Sequence, residues 1–150
     1  MNMKSTITIK NIVLIFFMLL SFIACESDKA KYNKPLVEGD RVVIDTSLLG
    51  DESPRFYSIT LDTKKVDFFV VKENDSVESY LDACENCYQY KKGYNVEGSY
   101  VICRHCGSTY PLGSLKTGMG SCHPMPLKGE LEGGKYYISL KEIKKVESFF

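Results

Sequence analysis

The chain has 150 residues, with 19 basic and 19 acidic side chains, so its formal net charge is zero. This balance excludes the basic surface that nucleic-acid binding requires. The N-terminal segment has the pattern of an export signal and is set aside in judging the fold. About 125 residues then remain, which is enough for one hydrophobic core but not for two. We therefore expect a single domain with no nucleic-acid partner.

The N-terminal segment carries two lysines followed by an apolar run without charge, residues 12–23. This run is too short to span a bilayer comfortably, because a membrane helix needs about 20 apolar residues. Its end, Phe22-Ile23-Ala24-Cys25, resembles the lipobox of bacterial lipoproteins. Residues 1–24 are therefore predicted to be a signal peptide, and Cys25 to carry the lipid anchor in the cell envelope, outside the cytoplasm. The alternative is an uncleaved N-terminal anchor helix.

The mature chain has the pattern of a polar tether followed by a mainly β domain. Residues 26–38, after the lipidated cysteine, lack an apolar period and predict the tether, which leaves residues 39–150 as the domain. A strand is predicted at residues 66–72, where the apolar run Phe68-Phe69-Val70-Val71 indicates a central strand buried on both faces. A capping-box pattern at Ser139 begins a short C-terminal helix. The other predicted strands are residues 41–45, 55–61, 77–81, 100–102 and 135–140.

Two CxxC pairs are the strongest chemical signal in the chain. Cys84 and Cys87 form the first knuckle, and Cys103 and Cys106 form the second, with fifteen residues between the pairs. Two thiolates three positions apart can hold one metal ion from a tight turn, and two such turns supply a tetrahedral set of sulfurs. Gly107, directly after the second knuckle, suits a turn that requires a positive φ.

The spacing leaves three interpretations open. A structural zinc ribbon has the same spacing, and from spacing alone zinc is at least as favoured as iron. Two disulfides fit an oxidising compartment, although a CxxC disulfide closes a very small loop and so constrains the unfolded chain little. A thioredoxin-like redox motif is the weakest of the three, because the chain lacks a βαβ pattern.

The segment after the second knuckle resembles part of a Rieske iron–sulfur domain. Residues 103–118 resemble its second cluster-binding box, and residues 120–127 resemble the proline-rich loop that covers the cluster. The resemblance implies a small Rieske-like β-domain with a [2Fe–2S] cluster, in which Cys87 and Cys106 stand where Rieske proteins have histidines. Four thiolates would lower the potential towards the all-cysteine ferredoxin value of roughly −400 mV. Zinc or a single iron is the alternative metal.

A second resemblance covers residues 40–146. The motifs that carry it include Asp82–Tyr88, Glu97–Cys103 and Cys122–Leu127, and they resemble the FtrD-like membrane iron–sulfur protein family. Membership implies an iron–sulfur or related metal centre on the four knuckle cysteines. It also implies electron transfer in bacterial uptake of ferrous iron or another metal. In that family the position of His123 is usually Asn, and many members have transmembrane helices that this chain lacks after residue 25. Any redox or metal-transport partner in the membrane would then be a separate protein.

One further cysteine, Cys122, has no place in the two knuckles. It is a candidate extra ligand, alone or with His123, Met119 and Met125, since thiolate, imidazole and thioether together favour soft ions such as Cu(I). The alternative is a buried cysteine that packs as a small hydrophobe. His105, inside the second knuckle, is a candidate extra ligand or electron-exit contact, with an exposed bystander as the alternative. Four tyrosines around the knuckles are expected to shield the centre: Tyr88, Tyr90, Tyr94 and Tyr110.

The sequence contains no motif for a hydrolase, a phosphate loop or a zinc protease. We therefore expect an electron carrier or metal-handling protein rather than an enzyme. The alternatives are a binding module in which zinc only holds the knuckles together, and a thiol–disulfide redox protein.

Overall fold

The structure is a computed structural model, and it describes residues 32–118, 120 and 122–150. The predicted signal peptide and the lipidated Cys25 lie outside these residues. Across the described ranges no helix combines the length and the apolar character needed to cross a membrane.

The described chain is mainly β with one short C-terminal helix, which confirms the predicted fold class. The strands are β1 (Leu36–Glu38), β2 (Arg41–Asp45), β3 (Arg55–Leu61), β4 (Lys64–Glu73), β5 (Ser76–Leu81), β6 (Tyr94–Glu97), β7 (Tyr100–Cys103), β8 (Thr109–Pro111), β9 (Pro126–Leu127), β10 (Glu130–Glu132) and β11 (Lys135–Ser139). The helix is α1 (Leu140–Val146).

These strands form three antiparallel sheets among the described residues. The first has the order β1-β2-β11-β10, the second β3-β4-β5-β9, and the third β6-β7-β8. The third sheet carries the second knuckle at the end of β7, and the first knuckle follows β5 of the second sheet. The two knuckles therefore belong to different sheets, and tertiary packing brings them together.

Strand β4 explains how one sheet supports two cores. Successive side chains of a strand point to opposite faces, so Phe68 and Val70 lie in one hydrophobic cluster with the first sheet. Phe69 and Val71 lie in a second cluster, which contains four cysteines and side chains of the third sheet, here called the knuckle sheet. All four of these side chains are buried, which confirms the prediction of a central strand covered on both faces.

The predicted boundary between tether and domain at residue 38 is too late. Tyr32 packs its ring against Phe56, the N–H of Asn33 donates to the carbonyl of Phe56 at 2.8 Å, and β1 pairs with β2. Residues 32–38 thus belong to the folded domain. Sequence reasoning missed them because β1 is a short, exposed edge strand that its hydrogen bonds to β2, rather than its burial, hold in place. Sequence periodicity likewise missed the short strands β6, β8, β9 and β10.

The C-terminal helix packs as its apolar stripe predicts. Ile143 is fully buried, and Leu140, Val146 and Phe149 pack around the same cluster. The Ser139 side chain accepts a hydrogen bond from the N–H of Lys141, which caps the first turn. Glu142 pairs with Lys145 at 2.5 Å rather than completing a reciprocal capping box.

Candidate metal centre

Each knuckle is a tight turn that directs backbone N–H groups at a sulfur. In the first knuckle the N–H of Cys87 donates to Cys84 Sγ at 3.2 Å, and in the second the N–H groups of His105 and Cys106 donate to the Cys103 sulfur. Gly107 has a φ of +76°, as the sequence predicts. The first knuckle instead runs into a 3₁₀ turn at Tyr88–Tyr90.

Five cysteine sulfurs meet between the two knuckles and the loop before β9. The sulfurs of Cys84, Cys87, Cys103 and Cys122 all lie within 4.8 Å of one another. Cys106 is outside this group of four, although its Sγ lies 3.2 Å from Cys122 Sγ. All five cysteines are free, so no disulfide joins the described thiols.

The donor set fits a soft metal centre. One ion with four thiolates at about 2.3 Å separates the sulfurs by about 3.8 Å, so the group of four needs only a small contraction to close on a metal. Four of the five sulfurs are buried, and the aromatic and aliphatic cluster around them shields them from most of the solvent. No carboxylate, which would be a hard oxygen ligand, belongs to this group of four sulfurs among the described residues. Iron and zinc are the metals that such a thiolate set selects.

A family model described as "Membrane iron-sulfur containing protein FtrD-like" matches residues 49–150, which is more than half of the chain. The chain belongs to the FtrD-like family. The matched region contains both knuckles and the Cys122 loop, so the iron–sulfur description applies to the part of the fold in which the sulfurs converge. Searches of curated proteins and of solved structures gave no match. The Rieske-like and lipoprotein features of this FtrD-like chain therefore stay predictions.

The thiols of the FtrD-like centre differ in their surroundings. Burial raises the pKa of Cys87 and of Cys103. The hydrogen bond with Cys106, together with burial, raises the pKa of Cys122 to about 11. The Ser108 hydroxyl and backbone N–H stabilise the Cys106 thiolate and lower the pKa of Cys106 to about 6. Of Cys87, Cys103, Cys106 and Cys122, the exposed Cys106 is thus the one most readily ionised in the metal-free chain.

The structure does not bring the predicted soft-ion site together. Met125 packs against the hydrophobic cluster that contains Phe68 and Val70, not against the cluster that contains the cysteines. Met119 lies outside the described residues. His123 bonds through Nδ1 to the carbonyl of Pro124 at 3.1 Å, and its buried Nε2 has no partner. His105 is exposed and stacks on Tyr90 with ring centroids 3.6 Å apart. Neither histidine belongs to the group of four sulfurs.

The predicted tyrosine wall is only half present. Tyr94 is buried at 1% exposure, and Tyr110 packs against the cysteine cluster. Tyr88 and Tyr90 are exposed. The shield is completed by phenylalanines and leucines from other elements, which motif spacing did not reveal: Phe56, Phe69, Leu112 and Leu115.

A cavity of about 430 Å³ reaches the centre from the side of the first knuckle. Cys84, Cys87 and Cys103 line its inner end, and four lysines lie among its walls: Lys64, Lys65, Lys91 and Lys92. The centre therefore has an approach for a small molecule or a partner side chain.

A buried carboxylate that sequence reasoning missed positions the first knuckle. Asp82, two residues before Cys84, accepts a hydrogen bond from the N–H of Tyr94 at 2.6 Å and another from the Tyr32 hydroxyl. It thereby joins the end of β5, the start of β6 and the N-terminal segment. Burial raises the pKa of Asp82 to about 6, against the lowering effect of these hydrogen bonds and of Arg104. The only sequence signal was the place of Asp82 immediately before the knuckle.

We expect Asp82→Asn to remove a pH dependence of stability. The pKa of Asp82 rises from 3.8 to about 6 on folding, so the folded chain binds more protons between these values. The free energy of unfolding should then fall as pH rises from about 4 to 6, by up to about 3 kcal/mol. Urea unfolding of the reduced, metal-free chain and of Asp82→Asn at pH 4, 5, 6 and 7 measures the difference.

The matched control is Asp45→Asn, because Asp45 is an exposed carboxylate that caps a 3₁₀ turn at Thr46–Leu48, and hydrogen bonds from Ser47 lower its pKa. Its loss should change the pH dependence in the opposite direction, if at all. Parallel pH profiles for the wild-type chain and Asp82→Asn would contradict the prediction.

Proposed function

We propose that this chain is a lipid-anchored electron carrier of the bacterial cell envelope, which passes electrons through an iron–sulfur centre to a membrane protein of iron or other metal uptake. The observation that carries the proposal is the convergence of the cysteine sulfurs inside an apolar shell, in a family of membrane iron–sulfur proteins. A bound iron–sulfur centre supplies one-electron transfer. The protein contributes the thiolates, the N–H groups aimed at them and the exclusion of water.

The exposed side of the centre supports contact with a redox partner. Cys106 is exposed, and the stacked rings of His105 and Tyr90 lie beside it at the surface. Cys106 Sγ lies 3.2 Å from Cys122 Sγ, so a partner docked there would come close to the metal. Attachment through Cys25 would keep the domain beside the membrane that holds the partner.

The structure favours a specific alternative for the cofactor. A [2Fe–2S] cluster places two cysteines on each of two irons and so holds the two pairs apart. Four sulfurs within 4.8 Å of one another fit one tetrahedral ion more closely. A single iron would keep the electron-transfer function, whereas a single zinc would leave a binding module whose metal is structural.

The experiment is a metal analysis of the full-length chain purified anaerobically in detergent. Electron transfer requires iron and a reversible change of the visible spectrum on reduction. About two irons with two acid-labile sulfides would establish the [2Fe–2S] cluster, and one iron without sulfide the mononuclear site. One zinc, no colour and no uptake of iron and sulfide on reconstitution would reject the electron-transfer function. Release of the chain from membranes after Cys25→Ala would test the lipid anchor separately.

A further inference from the structure

We propose that Cys122, rather than the knuckle residue Cys106, is the fourth sulfur ligand of the metal centre. This inference deepens the proposed function, because it assumes a metal at the sulfur cluster. It departs from the symmetrical arrangement that the two CxxC motifs suggest, in which each knuckle supplies both of its cysteines.

The positions of the sulfurs separate the two candidates. Cys122 Sγ lies within 4.8 Å of the sulfurs of Cys84, Cys87 and Cys103, and its distance to Cys87 Sγ is 3.5 Å. Cys106 is not part of this group. A ligand must lie within reach of the same ion as the other three, and Cys122 meets this condition.

Burial separates them in the same way. Cys122 is 6% exposed, close to the values of Cys84, Cys87 and Cys103, whereas Cys106 is exposed. The side chain of Cys106 lies 3.2 Å from the Ser108 hydroxyl at the open edge of its turn. A centre built on Cys122 would use four buried cysteines, and Cys106 would remain as an accessible thiol beside it.

The loop that carries Cys122 is held in place by contacts on both sides. The Tyr94 hydroxyl donates to the carbonyl of Cys122 at 2.6 Å, and the Cys122 backbone also hydrogen-bonds to Tyr110. The N–H of Leu81 donates to the carbonyl of Met125 at 2.8 Å, so the loop is tied to the strand end that leads to Cys84. A third segment is thus positioned over the two knuckles by the same residues that shield the centre.

Cobalt binding to two matched variants of the full-length, reduced chain tests the ligand set. Cys106→Ser should bind Co²⁺ with wild-type affinity and keep the absorption bands of four thiolates. Cys122→Ser should bind more than about a hundredfold more weakly, since even residues that only support a ligand contribute ten- to a hundredfold. Wild-type cobalt affinity and spectrum in Cys122→Ser would overturn the inference. Loss of binding in Cys106→Ser would overturn it as well.

Alkylation of the wild-type chain gives a second readout that does not depend on how a variant folds. With metal bound, iodoacetamide should modify Cys106 and leave Cys122 protected, as mapped by mass spectrometry of peptides. Removal of the metal with a chelator should raise the rate at which Cys122 is modified and leave the rate for Cys106 unchanged. Protection of Cys106 by the metal, with Cys122 modified, would overturn the inference.

The two proposals can fail separately. Cobalt bound through Cys122 in a chain that takes up neither iron nor sulfide would reject the electron carrier and leave the ligand set standing. Iron bound with Cys106 protected would reject the ligand set and leave the electron carrier standing.

Discussion

Cys103→Ser is expected to abolish high-affinity metal binding and to remove the stability that the metal provides. Cys103 is 3% exposed and is the last residue of β7. Its sulfur accepts hydrogen bonds from backbone N–H groups of the knuckle turn. A serine hydroxyl stays protonated at neutral pH and is a harder ligand than a thiolate, so it cannot replace the sulfur on iron or zinc. A hundredfold loss of affinity alone removes about 2.7 kcal/mol of metal-linked stability.

The measurement is the free energy of unfolding with and without saturating metal, under reducing conditions. The wild-type chain should gain stability on loading, and Cys103→Ser should gain almost none. The comparison of loaded with metal-free protein cancels the cost of burying a hydroxyl in the apolar cluster. An equal gain in both proteins would show that Cys103 is not a ligand. Serine at Cys106 is the matched control, because this cysteine also belongs to the second knuckle but is exposed.

Phe69→Ala is expected to lower the free energy of unfolding of the metal-free chain by about 3–5 kcal/mol. The ring is fully buried on the face of β4 that supports the metal centre. Its centroid lies 5.2 Å from that of Phe56, 5.5 Å from Tyr80 and 6.2 Å from Tyr94. These contacts join the second sheet, which contains β4, to the knuckle sheet. Removing the ring leaves a cavity between the two sheets.

The same substitution should weaken metal binding, because Tyr94 rests on Phe69 and holds the Cys122 loop through its hydroxyl. Guanidinium unfolding and a cobalt titration measure the two effects on one protein. Leu131→Ala is the control, since its side chain is 47% exposed and should change the stability by less than about 0.5 kcal/mol. A loss below about 1 kcal/mol in Phe69→Ala would contradict the prediction that this ring couples the two sheets.

Local sequence patterns identified the elements whose signals are local. Alternation and turn residues located β2 and β3 to the residue, and the continuous apolar run located β4 as a strand covered on both faces. The three-residue spacing of the cysteines in CxxC identified the knuckles, because a turn is determined by neighbouring residues. The family was also recognisable from short motifs, which the match over residues 49–150 confirms.

Local sequence patterns did not predict the contacts between segments that are distant in the chain. Tyr32 and Asp82 are 50 residues apart, and their hydrogen bond makes part of the predicted tether a component of the domain. Strand β1 is exposed at all three of its residues and is too short to show an apolar period, so only its pairing with β2 defines it. Exposed residues of this kind look alike in a tether and in an edge strand until the partner strand is known.

The sequence by itself determined a mainly β domain with two CxxC knuckles, and it identified Cys122 as a candidate extra ligand. Only the tertiary structure decided which sulfurs share one site. Cys122 joins Cys84, Cys87 and Cys103, while Cys106 lies at the exposed edge. The physical reason is that a CxxC turn sets the distance between its own two sulfurs, whereas the packing of two sheets and a hydrogen-bonded loop sets the distances between sulfurs of different segments.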